Sequence, residues 1–481
     1  MKEEKIKVLA LLPMELPKEI DLDNTLEAMQ KFVGGLIECI TLSDTGSEVT
    51  LVCNDEGKLL GLPLNRPLWD GADVLAGPGF LAGCDNEGNL TSLPQSAMDF
   101  YKEKFRAFKG GYLMISRPEI QAFLGTYQEG AEKFPVHLQL HPGVDPSSIF
   151  LTGSSGSGKS TAGQCMAIQF AKQKIPLLAL DLGHTLSPDH ICPPLFSEFE
   201  ALAIRHDLYN EPVPTDILNP KPCGSNTESP YDTAYGLCQI IGQNNRFGPA
   251  QIASLTAEVK TIVERREICP HIFPSILEAL KSSTSANVRM LGNRLEPLLQ
   301  HDVFERRQNG SFSLPISPHI HIFDVSSYPD IIRTTLAELL LYDWFRSARA
   351  LQIPIVIMVD EVQNLRLGRG TVLNRIITEG RKFSIGSMLI SQSLKGFAPD
   401  EQLALSQTGT KLFFKPPLTE IRACSEMLAE PARRSGTVEL LKKLKVGQCL
   451  LLSDFTYIGD SLQPSSDCIQ VSISLPTSII K

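Results

Sequence analysis

Apolar positions repeat along the chain with two different periods, and the change from one to the other divides it. Residues 6–12 read as an apolar strand. Leu26, Met29, Phe32 and Val33 fall at helical spacing within 22–33, a segment stopped by Gly34-Gly35. Residues 36–42 and 49–53 follow as strands, with Asp44-Thr45-Gly46 in a hairpin-like position between them. The Gly- and Pro-rich stretch 57–83 predicts turns, and 96–108 predicts a helix that ends at Gly110-Gly111. Residues 5–106 therefore read as a small α+β module.

Residues 108–146 read as a connector with some helical content. Strand, helix and strand are then expected at 148–152, 159–172 and 175–180, the order that builds a parallel α/β sheet. Eight prolines between 188 and 230 predict irregular chain. Helical spacing dominates 231–266 and 274–299, and strands return at 319–325, 355–359, 387–391 and 411–415. The expected organisation is a small α+β domain (1–107), the connector, an α/β domain with a helical insertion (147–460) and a C-terminal tail (461–481).

Composition narrows the class. With 42% hydrophobic and 21% charged residues, the 481-residue chain suits a folded protein and not a disordered one. Its longest apolar runs fall well short of the roughly 18–20 residues that a membrane-spanning helix needs. No signal-peptide pattern opens the chain, so it reads as cytoplasmic with no integral membrane segment. Eleven cysteines are scattered singly, which favours reduced thiols. His137/His141 and His319/His321 lack acidic or Cys partners at ligand spacing and read as ordinary histidines.

The net charge of −9 excludes a generally basic nucleic-acid coat. Residues 1–109 hold 11 Lys/Arg against 18 Asp/Glu, a net of −7, which leaves −2 for the remainder. An acidic module thus precedes a nearly neutral body. Any DNA contact must come from locally clustered positive charge.

Candidate chemistry begins at Gly153-Ser154-Ser155-Gly156-Ser157-Gly158-Lys159-Ser160, a G-x-x-x-x-G-K-[ST] loop followed by Thr161. Its glycines let backbone N–H groups close on a phosphate, and the next helix offers its positive end. Lys159 is expected to reach the terminal phosphates of ATP and the Ser160 hydroxyl to ligate Mg²⁺. Downstream, the aliphatic run 355–359 ends in Asp360-Glu361. A buried parallel strand has that composition. Asp360 is expected to hold Mg²⁺ through water, and Glu361 to activate the attacking water as general base. Gln392, ending the next expected strand, is placed to sense the terminal phosphate.

Together with Asp360-Glu361-Val-Gln-Asn-Leu, the segment from Thr378-Glu-Gly-Arg-Lys to Ser391-Gln392 resembles the HerA/FtsK superfamily, on its HerA and type IV secretion ATPase side. Phe323-Asp-Val-Ser, Gln407-Thr-Gly-Thr-Lys-Leu-Phe-Phe and Leu444-Lys-Val-Gly-Gln extend the likeness over 147–455. The resemblance implies a RecA-like P-loop NTPase core, a hexameric ring with ATP at subunit boundaries, and double-stranded DNA through the centre. It also implies an arginine acting on the neighbour's site, with Arg381 the first choice and Arg375 the second. Asp181 matches an acidic position of the superfamily. A second acid often follows there, but this chain has Gly183-His184-Thr185. The β-barrel that usually precedes the HerA ATPase is replaced by the acidic module. That module resembles a small bacterial family of unknown function common on mobile elements, through 33–40, 51–58 and 61–68. Asn65 and Arg66, its distinctive polar pair, are expected to serve a turn.

Three functions remain open on this reading. The first is a DNA translocase or helicase-like motor, associated with mobile elements or defence. The second is an ATPase powering conjugation or secretion, with a relaxase or channel partner. The third is a nucleotide-gated scaffold for an effector nuclease.

Overall fold

The computed structural model describes residues 4–12, 17–42, 49–57, 60, 62, 64–68, 73–85, 88–106, 120–140, 147–213, 215–223, 226–265, 271–304, 317–351, 354–453, 455–459, 461–462 and 468–475. The chain divides into two compact units, Met1–Ser116 and Arg117–Lys481.

The first unit is built on strands β1 (Lys5–Leu11), β2 (Lys18–Asp23), β3 (Ile37–Leu42) and β4 (Val49–Asn54), a separate hairpin of β5 (Leu64–Leu68) and β6 (Asp73–Ala76), and β7 (Gly79–Cys84) with β8 (Leu90–Thr91). Its sheet runs β2-β1-β7-β4-β3, antiparallel throughout. Helix α1 (Leu26–Val33) packs on one face, with Met29 and Val33 meeting Ile6, Val8, Val52 and Phe80. On the other face α2 (Gln95–Arg106) sets Ala97, Met98, Tyr101 and Phe105 against Leu9, Leu51 and Leu81. Both faces are covered, so β4 is buried at every position and alternation disappears from its sequence. The helix expected over 22–33 starts only at Leu26, where Thr25 caps it through the Ala28 N–H. The alternating Lys18-Glu-Ile-Asp-Leu-Asp before it pairs with β1 instead. The hairpin expectation at 44–46 lies outside the described residues.

Asn65 and Arg66 serve no turn. Both are buried on β5, where Asn65 Nδ2 donates to the carbonyls of Leu11 and Gly77 at 2.6 and 2.8 Å. Arg66 donates to the Leu12 carbonyl at 3.2 Å and to Asn65. Burial pushes its guanidinium down to about 10. The pair supplies donors to the backbone carbonyls of Leu11, Leu12 and Gly77.

The second unit opens with a hairpin, β9 (Ile120–Glu129) and β10 (Glu132–Leu140). This is where a partly helical connector was expected. Ile120, Ala122 and Leu124 on β9 and Val136, Leu138 and Leu140 on β10 are all buried, the period of two that makes the segment strand. The core elements follow as β11 (Ser148–Thr152), α3 (Lys159–Lys172), β12 (Leu177–Asp181), α4 (Phe196–Leu202) and β13 (Ala203–Asp207). The last two interrupt the proline-rich stretch expected to be irregular. β13 occurs because it pairs in parallel with a later strand. After the short hairpin β14 (Pro222–Cys223) and β15 (Asn226–Thr227) comes the helical insertion: α5 (Pro230–Asn244), α6 (Pro249–Glu264), α7 (Ile272–Ser282) and α8 (Ala286–Leu299). Ser229 and Asp232 cap α5 reciprocally, with Pro230 at its first position.

Then follow β16 (Ile320–Asp324), α9 (Asp330–Leu351), β17 (Ile355–Val359), α10 (Val372–Glu379), β18 (Ile385–Ser391), α11 (Pro399–Ser406), β19 (Thr410–Phe414), α12 (Ile421–Leu428) and α13 (Arg434–Lys443). The chain closes with β20 (Gln448–Ser453), β21 (Thr456–Ile458), β22 (Ser461–Leu462) and β23 (Ile469–Ile473). One continuous sheet runs β13-β16-β12-β17-β18-β11-β19-β20-β23-β9-β10-β21-β22. Its first seven strands are parallel and the rest antiparallel. The expected C-terminal tail contributes β22 and β23 to it, because β23 fills the gap between β20 and β9.

Candidate functional site

In a parallel sheet every strand points the same way, so residues that follow the strands collect along one edge. Here each consecutive strand ends in a polar group or a loop of consequence. Asp324 ends β16, Asp181 ends β12, and Asp360-Glu361 follow β17. Gln392 follows β18, the glycine-rich loop follows β11, and Lys415 follows β19. Because β18 lies between β17 and β11, Gln392 emerges between the two acids and the loop.

The loop has the backbone that its glycines permit. Gly153, Gly156 and Gly158 take φ of 150°, 71° and 106°. A Cβ on Gly153 would stand 2.8 Å from that of Phe414, and one on Gly158 would stand 3.2 Å from the Gly447 Cα. The loop is stitched to its surroundings by Ser154 N–H donating to the Lys415 carbonyl at 2.9 Å and Gly447 N–H to the Ser157 carbonyl at 3.0 Å. Lys159 is only 5% exposed, and its Nζ donates to the Ser154 carbonyl at 2.8 Å. Burial pulls its pKa down, opposed by the Asp360 carboxylate. Ser157 Oγ is buried with no hydrogen-bond partner among the described residues, an unused donor inside the loop. Such a loop fits a phosphate. Ser155, Gly156 and Ser160 are exposed, and Thr161 is half-buried on the first turn of α3.

Asp360 is buried at the tip of β17. Its Oδ2 accepts from Thr185 Oγ1 at 2.6 Å and its Oδ1 from the Glu361 N–H at 2.8 Å. Burial raises its pKa, and these two hydrogen bonds lower it. Glu361 has φ of 57°, the left-handed region that non-glycine residues rarely enter, which turns its side chain out of the strand direction. Its carboxylate accepts from Gln392 Nε2 at 2.8 Å and from Asn364 Nδ2 at 3.2 Å. Gly183 leaves it room: a Cβ there would stand 2.7 Å from Glu361 Oε2.

Asp181 organises the loop after β12. One oxygen accepts the N–H groups of Gly183 and Thr185 at 3.2 and 2.9 Å, and the other accepts that of Leu186 at 2.9 Å. Burial raises its pKa, while the Leu186 and Thr185 N–H groups lower it. Sequence patterns do not single out Lys415 or the role of the Thr185 hydroxyl. The available signals are Gly447 within Leu444-Lys-Val-Gly-Gln and Gly183-His184-Thr185, which stands where a second acid was expected.

The candidate arginines lie elsewhere. Arg381 is exposed in the turn Gly380–Phe383 that precedes β18. Seven strand residues, about 23 Å of chain, separate that end of β18 from Gln392. Arg375, on α10, stacks 4.8 Å over the Phe345 ring and lies 3.8 Å from the Glu379 carboxylate. Neither reaches the strand tips of its own chain.

This arrangement defines the fold class: a RecA-like P-loop core in which one strand separates the loop strand from the acidic strand. The chain is similar to several solved structures. VirB4 of Thermoanaerobacter pseudethanolicus is 13% identical with a TM-score of 0.56, over 75% of this chain and 97% of that one. The plasmid coupling protein TrwB in complex with ADP and Mg²⁺ is 12% identical with a TM-score of 0.46, over 75% and 96%. The genome packaging NTPase B204 of Sulfolobus turreted icosahedral virus 2, in complex with AMPPCP, is 11% identical with a TM-score of 0.34, over 69% and 100%. Residues 6–106 match the family described as a domain of unknown function, DUF3846. No curated protein matches the chain. Among the described residues, no helix is long and apolar enough to cross a membrane.

Proposed function

We propose that the chain is an ATP-hydrolysing motor of the HerA/FtsK type that works as a hexameric ring and moves double-stranded DNA. The observation that carries the reading is the meeting of Lys159, Asp360, Glu361 and Gln392 around one glycine loop. Residues 153–161 hold the nucleotide phosphates, with Lys159 leaving the Ser154 carbonyl for a phosphate oxygen. Ser160 and Asp360 hold Mg²⁺, which when bound neutralises charge on the phosphate oxygens. Glu361 takes a proton from the attacking water, and Gln392 holds that carboxylate in place. In a ring the transferred phosphoryl group takes a cation from the neighbour, and Arg381, exposed at the end of β18 opposite Gln392, is the arginine assigned to that role.

The test is ATP hydrolysis by the purified chain with and without long double-stranded DNA at low salt, where phosphate contacts are strongest. Several-fold stimulation is expected, together with a hexamer by mass photometry and loss of activity in Lys159→Ala and Glu361→Gln. Hydrolysis indifferent to DNA would replace the DNA motor with one that drives a conjugation or secretion assembly. Hydrolysis absent under all conditions would leave only a nucleotide-gated scaffold.

A further inference from the structure

Two buried carboxylates end neighbouring parallel strands, Asp181 on β12 and Asp360 after β17, with Leu180 paired to Val359 just before them. Thr185 Oγ1 lies between them, 2.6 Å from Asp360 Oδ2 and 3.4 Å from Asp181 Oδ1. A threonine hydroxyl carries one proton, and the distances give it to Asp360. With the Glu361 N–H on Oδ1, each Asp360 oxygen then has one donor, which fixes the rotation of the carboxylate.

Thr185 is itself held from two sides. Asp181 accepts the N–H groups of residues 183, 185 and 186, so the loop wraps around its carboxylate. On the far side His184, at φ of 60°, places Nδ1 2.9 Å from Asp324 Oδ2 at the tip of β16. Asp324 is anchored in turn by the Ser326 N–H at 2.8 Å. The loop thus spans three strand tips and delivers one hydroxyl to the acid nearest the glycine loop.

The geometry points to Thr185 as a positioning residue that aims Asp360 at Mg²⁺, in the place where a second acid was expected. This rests on the reading of Asp360 as the metal-holding acid. A hydroxyl serves the metal acid by orientation without adding a negative charge of its own. Partners that orient a metal-holding group typically contribute 10–100-fold in metal affinity, so loss of the hydroxyl is expected to weaken Mg²⁺ by at least about tenfold.

The experiment titrates Mg²⁺ into the full chain loaded with a fluorescent, non-hydrolysable ATP analogue, and reads the apparent Mg²⁺ affinity. Thr185→Val keeps the shape and removes the hydroxyl; Thr185→Ser keeps the hydroxyl and removes a methyl. The expected result is an affinity about tenfold weaker in Thr185→Val, binding of the analogue without Mg²⁺ unchanged, and near-normal Mg²⁺ affinity in Thr185→Ser. Thermal melting checks the fold, and Thr185→Ala takes the place of Thr185→Val if the latter does not fold. Normal Mg²⁺ affinity in the hydroxyl-free variant overturns the inference, as does a Thr185→Ser as weak as Thr185→Val. A wild-type chain that shows no Mg²⁺-dependent binding of the analogue overturns the underlying site reading, and this inference with it. A wild-type chain that binds Mg²⁺ and analogue but does not hydrolyse ATP overturns the motor alone.

Discussion

Gln392 Nε2 donates to Glu361 Oε1 at 2.8 Å, joining the tips of two adjacent parallel strands. Asn364 holds the other oxygen at 3.2 Å, so the carboxylate is fixed by two amides and by its own left-handed backbone. A general base held this way keeps its angle to an incoming water.

Removing the amide and removing the base therefore give different losses. Glu361→Gln is expected to lower the hydrolysis rate by roughly 10²–10⁴-fold, the range for a general base. Gln392→Ala is expected to lower it by about tenfold, because Asn364 still restrains the carboxylate. Nucleotide affinity should stay unchanged in both. Single-turnover hydrolysis beside equilibrium nucleotide binding separates the two effects, and equal losses in the two variants would contradict the positioning role of Gln392.

A second prediction concerns α3, the helix that carries Lys159. Gln169 bonds both backbone groups of Phe123, at 2.8 and 3.0 Å, and Gln173 both of Gln121, at 2.9 and 2.5 Å. Four helical residues rise about 6 Å and two strand residues about 6.8 Å, so amides at i and i+4 match alternate residues of a strand edge. The two glutamines act as one more strand beside β9. Gln169→Ala leaves partly buried backbone groups of Phe123 without partners and is expected to cost about 1–3 kcal/mol. Gln173→Ala, at the exposed end, is expected to cost less. Urea denaturation of the full chain measures both, and a Gln169→Ala as stable as wild type would refute the match.

The parallel core was readable because buried strands and their ends carry strong signals: Ile355–Val359 followed by two acids, and a glycine loop between strand and helix. The hairpin at 120–140 was missed because its alternation is written partly with Ala122, Gln121, Gln139 and His137, residues without marked strand preference. Its edge partners, Gln169 and Gln173, lie on a helix about fifty residues away. Thr185 was equally hidden. What matters there is its hydroxyl reaching Asp360, 175 residues along the chain, a contact created by strand order. Local sequence carries the loop, and strand order carries what the loop touches.

Histidine burial sets an acid limit for the second unit. His321 on β16 is stacked 5.6 Å from His206, accepts or donates at 2.8 Å with Ser317 Oγ, and is pushed down to about 4, first by burial and then by His206. In the unfolded chain it titrates near its ordinary 6.5. The folded state holds the neutral ring, so its contribution is complete above that value. As pH falls from about 6.5 toward about 4, only the unfolded chain takes up the proton, and stability drops with a limiting slope of about 1.4 kcal/mol per pH unit. His321→Leu should flatten that part of the profile. Denaturation midpoints at a series of pH values from about 7 to about 4 check it, and an unchanged slope would exclude His321 as the cause.

The position of Arg381 makes the strongest demand on assembly. It lies in the turn that leads into β18, while Gln392 and the glycine loop lie beyond the other end of that strand. A guanidinium side chain reaches far less than the length of a seven-residue strand, about 23 Å, so Arg381 cannot serve the phosphate site of its own chain. Arg375 is turned instead to Phe345 and Glu379. If Arg381 acts on a neighbour, Arg381→Ala is expected to bind nucleotide normally and to lose about 10³-fold or more in hydrolysis, the low end for a trans-acting arginine. The decisive measurement mixes Arg381→Ala subunits with Glu361→Gln subunits, each inactive alone. A mixed ring contains boundaries where an intact Arg381 meets an intact Glu361, so activity should reappear on mixing. Mixed subunits that stay inactive, although mass photometry shows that they assemble together, would remove Arg381 from the site and return Arg375 to consideration.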